Sequence, residues 1–320
     1  VKELRVIENC SEIGAGTRGA SLGIDALKIA SLNLSSDFFA KIPSQRIEDE
    51  NHLLFQTNST PTAIRISGIA KVYERVANAV ESTIKQKAFP LVLAADHASA
   101  GGTIAGIKKA YPDKRLGVIW IDAHADLHSP FTSPSGNVHG MPLATALSED
   151  NLESKVAEPS EKALEKWEQM KSIGGIQPKL DPNDLIFYGV RDTESPEEEL
   201  MQKNQIVNFT VAECRANGIA ATAEKGLERL ANCDLIYISF DVDSMDPDIV
   251  SYGTGTPVKN GFSPEEAQEL IENLIEKSKK VCCFEMVEVN PILDNKGNHM
   301  AETAFRILEG ISPKLSEYAI

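Results

Sequence analysis

The chain has 320 residues, 42% of them hydrophobic and 25% charged, which is enough apolar material for a large α/β core. A formal net charge of −15 repels phosphate backbones and anionic lipid, and so argues against nucleic-acid and membrane partners. Five scattered cysteines without a CxxC pair, an amino terminus lacking a long apolar core and no run of membrane-spanning length predict a soluble, cytoplasmic protein with buried, reduced thiols.

Short β-rich apolar runs then alternate with amphipathic stretches. LRVIE near the start reads as a strand and is followed by helices over 20–32 and 62–88. FPLVLAAD (89–96) is a strand, 99–110 a helix and RLGVIWID (115–122) a strand. The charged stretch 151–184 contains a helix over 159–172 and reads as the least anchored part of the chain, a surface insertion. DLIFYGV (184–190) and DLIYISFD (234–241) are strands on either side of a helix over 212–231. SPEEAQELIENLIEKS (263–278) combines a Ser N-cap, Pro at the first helical position, an acidic first turn and a basic end, so a helix is expected over 264–280. VCCFEMVEV (281–289) is the last strand and 299–310 the last helix. Several strands are apolar on both faces, as in a parallel sheet covered by helices on each side. The expected architecture is a three-layer α/β/α fold with a mostly parallel central sheet, one domain spanning 1–320.

Active sites of such sheets lie beyond the carboxyl ends of the strands. FPLVLAAD leads into His97, and VIWIDAHADLHSP (118–130) delivers Asp122, His124 and Asp126 at spacing two, with His128 beyond. DLIYISFD leads into Asp241 and Asp243, and MVEVNP carries Glu288. Spacing two in an extended chain puts side chains on one side. Each piece alone reads equally well as a solvated loop or turn. Together, bare carboxylates at the ends of apolar strands would repel one another steeply unless a cation lies among them. Four Asp and two His donors with no thiolate favour Mn²⁺ ahead of Zn²⁺. Asp122 and Asp241, each opening a same-face pair, are natural bridges between two ions, a pairing that generates a hydroxide nucleophile at neutral pH.

The same residues carry a family likeness. AADHAS (94–99), WIDAHADLHSP (120–130), SGNVHGMP (135–142), SFDVDSMDPD (239–248) with GTGTPV (253–258), and MVEVNP (286–291) resemble the signature blocks of the ureohydrolase family. That family comprises arginase, agmatinase, formiminoglutamase and relatives. EIGAGTRGASLGIDAL (12–27) is similar to its amino-terminal glycine-rich block. The resemblance implies two Mn²⁺ per chain, one on His97, Asp122, Asp126 and Asp241, the other on Asp122, His124, Asp241 and Asp243. It implies that Asp126 relays a proton, that His139 shuttles or orients, and that Glu288 pairs with the guanidinium of a small cationic substrate. SGNVHG is the arginase version of its block, so Ser135 and Asn137 are expected on an α-carboxylate. Asp192 and Glu194 of GVRDTE are expected on an α-amino group, and Thr256 is expected near the substrate. His128 stands where arginases typically carry Asn, and Glu194 where Asp is usual. The resemblance further implies a homo-oligomer, trimer or hexamer. L-Arginine hydrolysis to urea and L-ornithine is the expected activity. Another guanidino hydrolase is the alternative, and a non-catalytic metal-binding protein has no use for Asp126, His139 and Glu288 together.

Overall fold

A computed structural model describes residues 1–320. The strands are β1 (Leu4–Asn9), β2 (Ser44–Arg46), β3 (Phe89–Ala94), β4 (Leu116–Ile121), β5 (Leu185–Tyr188), β6 (Val207–Phe209), β7 (Leu235–Asp241) and β8 (Val281–Val287). They form one 8-stranded sheet in the order β2-β1-β3-β8-β7-β4-β5-β6. Every neighbouring pair is parallel. Helices cover both faces, which is why the central strands are apolar throughout. Along β7, Ile236, Ile238 and Phe240 join the core beneath the helices Gly23–Asn33, Pro264–Ser278 and His299–Tyr318. Leu235 and Tyr237 face the opposite core, under Ile66–Lys85 and Ser99–Ala110. No helix is long and apolar enough to cross a membrane.

The helices Ile66–Lys85 and Ser99–Ala110 approach closely because glycines face the contact. A Cβ on Gly106 would lie 2.6 Å from the Ala77 carbonyl oxygen.

Several expectations need correction. The helix expected over 212–231 is two, Val211–Asn217 and Ile219–Arg229, broken where Gly218 takes φ 90°, in the region that favours glycine. The last helix runs on to Tyr318 through Pro313. Ile311 and Leu315 continue its buried face past the proline, and that burial outweighs the missing hydrogen bond. The 151–184 stretch is not loosely attached. Its helix, Glu161–Ser172, buries Ala163, Trp167 and Met170 in a third core cluster, and the Trp167 indole donates to Asp150 at 2.7 Å. Most of the charge that suggested a surface insertion lies on its outer face, while Lys171 is buried and donates to Asp150 at 2.8 Å. The short edge strands β2 and β6 and the helix Ser195–Lys203 add to the elements expected.

Candidate active site

The neighbouring strands β3, β8, β7, β4 and β5 end side by side and deliver the site. Their ends use a recurring local device, an aspartate accepting the N–H two residues on. Asp122 Oδ1 accepts from His124 N–H at 2.7 Å, and Asp241 Oδ1 accepts from Asp243 N–H at 2.8 Å. Asp243 Oδ1 accepts from Ala123 N–H at 3.2 Å, which ties the β4 end to the β7 end. Each turn fixes one carboxylate oxygen and leaves Oδ2 facing inward. The spacing-two pattern therefore orients donors, and does more than place them on one side.

Inside, His97 Nδ1 lies 2.9 Å from Asp122 Oδ2 and 3.2 Å from both Asp126 Oδ2 and Asp241 Oδ2. None of these oxygens sits where an N–H would point, so His97 Nδ1 and Asp122 Oδ2 are buried without a hydrogen-bond partner. Such separations are the edges of a shell of donors about 2.1 Å from a shared centre in octahedral geometry. Next to it, His124 Nδ1 lies 3.0 Å from Asp243 Oδ2 and 3.5 Å from Asp122 Oδ1. Two groups suited to a metal ion, His97–Asp122–Asp126 and Asp122–His124–Asp243, thus share Asp122. All donors are oxygen or imidazole nitrogen, the choice of a hard or borderline divalent cation.

The electrostatics agree. Burial, then neighbouring carboxylates, push Asp126, Asp241 and Asp243 above the usual carboxylate range. Burial pulls His97 and His124 down, but the surrounding carboxylates outweigh it and raise both imidazoles. Asp122 is the exception, held low by His124 and His97 against its own burial. Like charges a few ångström apart cost about 4 kcal/mol per pair even at an effective dielectric of about 20. The metal-free cluster therefore holds protons that a cation would displace.

A cleft of about 250 Å³ opens above these groups, with no hydrophobic residue in its lining. Glu288 projects into it from the end of β8. Its Oε1 accepts from His97 N–H at 3.0 Å and pairs with His139 Nδ1 at 2.9 Å, while Oε2 is buried and without a partner. Burial pulls His139 down, yet Glu288 raises it to about 9. Asp126 and Glu288 both adopt positive φ, 50° and 70°, strained values for residues other than glycine. Thr256 donates to Asp243 Oδ2 at 3.1 Å. Asp192 Oδ2 lies 3.6 Å from His124 Nε2.

At the mouth, Ser135 and Asn137 line the cleft. Ser135 Oγ accepts from Asn137 N–H at 3.2 Å, which frees its hydroxyl hydrogen to donate. The glycine-rich segment lies behind them: a Cβ on Gly16 would come within 2.7 Å of Asn137 Nδ2. His128 lines the same cleft, with Nε2 2.6 Å from Glu194 Oε2 and Nδ1 3.1 Å from Thr132 Oγ1. Glu197 completes that wall, buried, 3.5 Å from His128 Nε2 and accepting Leu127 N–H at 3.1 Å. Sequence reasoning misses Glu197, because in ESPEEEL it reads only as a capping acid of a surface helix. It also misses Arg191, which donates to the carbonyls of Asp243 and Val258 and pins the β7 loop over the site.

Fold and site define a class, the α/β proteins with a divalent-cation centre at the carboxyl edge of a parallel sheet. The family model described as the Arginase family matches residues 6–312, and the chain belongs to that family of metal-dependent hydrolases. It is 32% identical to the arginase of Brevibacillus brevis over 97% of each chain. The crystal structure of arginase from Bacillus subtilis subsp. subtilis str. 168 superposes with a TM-score of 0.82 at 32% identity, over 97% of this chain and 98% of that one. The native arginase of Bacillus caldovelox gives a TM-score of 0.80 at 31% identity, over 97% and 98%.

Proposed function

We propose that the protein hydrolyses L-arginine to urea and L-ornithine at a two-manganese centre. The observation that carries this reading is the convergence, in one polar cleft, of the two donor groups sharing Asp122 with the free Oε2 of Glu288. His97, Asp122, Asp126 and Asp241 would hold one ion, and Asp122, His124, Asp241 and Asp243 the other. Bound there, the pair supplies a nucleophile from water at neutral pH and offsets the charge of the carboxylates. Glu288 Oε2 accepts the guanidinium N–H groups, a charge-assisted contact suited to a planar cation. Asp126 faces the same space and takes up a proton there, to return it to the departing amine. His139, oriented through Nδ1 by Glu288, carries protons between that amine and the cleft mouth. Ser135 and Asn137 donate to the α-carboxylate, and Glu194, Glu197 and Asp192 draw the α-ammonium to the opposite wall.

One observation favours a second reading. Glu194 already carries His128 on Oε2, so a guanidino compound lacking an α-ammonium would leave that pair undisturbed. Urea release from arginine, agmatine and a guanidino acid, compared as kcat/KM with Mn²⁺ present, separates the two. Arginine is expected to lead. Equal or better use of the guanidino acid, which lacks the ammonium, or of agmatine, which lacks the carboxylate, would overturn the arginine assignment and leave the guanidino hydrolysis standing. A homo-oligomer belongs to this proposal on the family likeness, and a cytoplasmic setting on the buried free cysteines.

A further inference from the structure

Beneath the site lies a polar group that neither the cleft nor the fold requires. Glu285, on β8, is fully buried at 0% exposure in the middle of the sheet. It faces Ser239 across the β7–β8 register, and its Oε2 accepts from Tyr237 O–H at 2.5 Å. Tyr237 and Ser239 stand two residues apart on one face of β7, and the Tyr237 hydroxyl reaches along the strand to Glu285, the residue opposite Ser239, which brings it alongside Ser239. Ser239 Oγ then meets His97 Nε2 at 2.7 Å. The His97 ring is otherwise clamped, stacked 3.9 Å from Trp120 with 3° between the planes. A carboxylate in the core costs stability unless it is used, and hydrogen bonding of Tyr237 could be met by far less.

We propose that Glu285 is a positioning residue which, through Tyr237 and Ser239, fixes the proton of His97 on Nε2 and leaves the Nδ1 lone pair for the metal. The proposal rests on the metal-centre reading above. A carboxylate oxygen accepts, so Tyr237 donates to it and has only its oxygen left for a neighbour. Ser239, donating to that oxygen, must in turn accept from His97 Nε2–H. Each hydroxyl has a single proton, so an acceptor at one end orders the whole chain. A metal-ligating imidazole has its tautomer set in this way by the group on its other nitrogen. Here that group lies three side chains away.

Glu285→Met removes the acceptor with little change of volume and takes a buried charge from the core. Tyr237 then donates toward Ser239, Ser239 toward His97 Nε2, and the proton moves to Nδ1. Mn²⁺ affinity, measured by chelator competition on the full chain, is expected to fall about 10–100-fold, the range for lost outer partners of metal ligands. The melting temperature of the metal-free protein should hold or rise. Glu285→Gln, whose amide oxygen still accepts from Tyr237, should retain affinity within a few-fold. Tyr237→Phe, which cuts the chain, should lose affinity even if Glu285→Met fails to fold, and adding Glu285→Met to it should cost little more. Parental affinity in Glu285→Met or Tyr237→Phe overturns the proposal. So does a loss in Glu285→Gln as large as in Glu285→Met, or a loss that merely follows a collapse of metal-free stability. A parent chain that binds no Mn²⁺ would instead overturn the metal-centre reading itself.

Discussion

Asp126 is asked to do more than its neighbours. It holds φ 50° against its preference, contributes Oδ2 to the His97 group and borders the cleft. Such strain persists only where the surroundings impose it, and here the imposed position puts one carboxylate at both the His97 group and the cleft. Asp126→Asn keeps the shape and removes the proton acceptor. Turnover is expected to fall by about 10²–10⁴-fold in protein shown by metal analysis to be fully loaded. Near-normal turnover in loaded variant would remove Asp126 from the proton path. His139 permits a test by pH. Against the pull of burial, Glu288 raises it from 6.5 to about 9. A group raised in the folded state stabilises fully below its ordinary value and loses that effect as pH climbs through the raised one. In chelator-treated protein, the gap in denaturant midpoint between parent and His139→Asn should therefore be widest below pH 6.5 and close as pH passes about 9. A gap constant across that window would show that the pair contributes nothing to folding.

Among the helices, Glu161–Ser172 matters most for what sequence can and cannot reveal. Its composition is charged, yet Trp167 is 0% exposed and holds the segment to the helix Ile66–Lys85. Trp167→Ala should cost about 3–5 kcal/mol in denaturant unfolding, the usual range for deleting a buried aromatic. Mn²⁺ affinity should stay unchanged, because the helix touches none of the donors. A loss below about 1 kcal/mol would mean that the segment is as loosely held as its charge suggests. The strands behaved differently. FPLVLA, LGVIWI and LIYISFD are largely apolar on both faces, as central parallel strands are, and their ends lead into the candidate donors that the structure brings together. SQR of β2 is exposed and polar, so as an edge strand it carries no such signal. Residues whose task is contact rather than chemistry were equally silent. Glu197 and Glu285 became visible only once folding showed what lies beside them, because an acid in ESPEEEL or CCFEMV has no local pattern that separates it from a cap or a solvated edge.

Taken together, the core is built around charge that it cannot satisfy alone. Asp126, Asp241 and Asp243 lie above their ordinary 3.8, raised by burial and then by neighbouring carboxylates, Asp122 in every case and Asp243 for Asp241, and the imidazoles of His97 and His124 lie above 6.5. For every one of these groups the stabilising protonated form is complete below the ordinary value and is lost as pH rises through the raised one. Asp122 has the opposite sign, but its lowered value places its titration below the working range. The metal-free protein should thus grow less stable from mildly acidic to mildly alkaline pH. Mn²⁺ acts in the other direction. It must displace those protons, so its affinity rises with pH, and at a free concentration of 1,000 times Kd it adds about 4 kcal/mol to folding. The rise in melting temperature on adding Mn²⁺ to chelator-treated protein should therefore be larger at about pH 8.5 than at about pH 6, and should vanish at both when the chelator returns. Asp122→Asn, which removes the carboxylate shared by both groups, should abolish most of that rise at either pH. A rise that is flat or shrinks with pH would mean that the ion binds without displacing protons, and so not among these carboxylates and imidazoles.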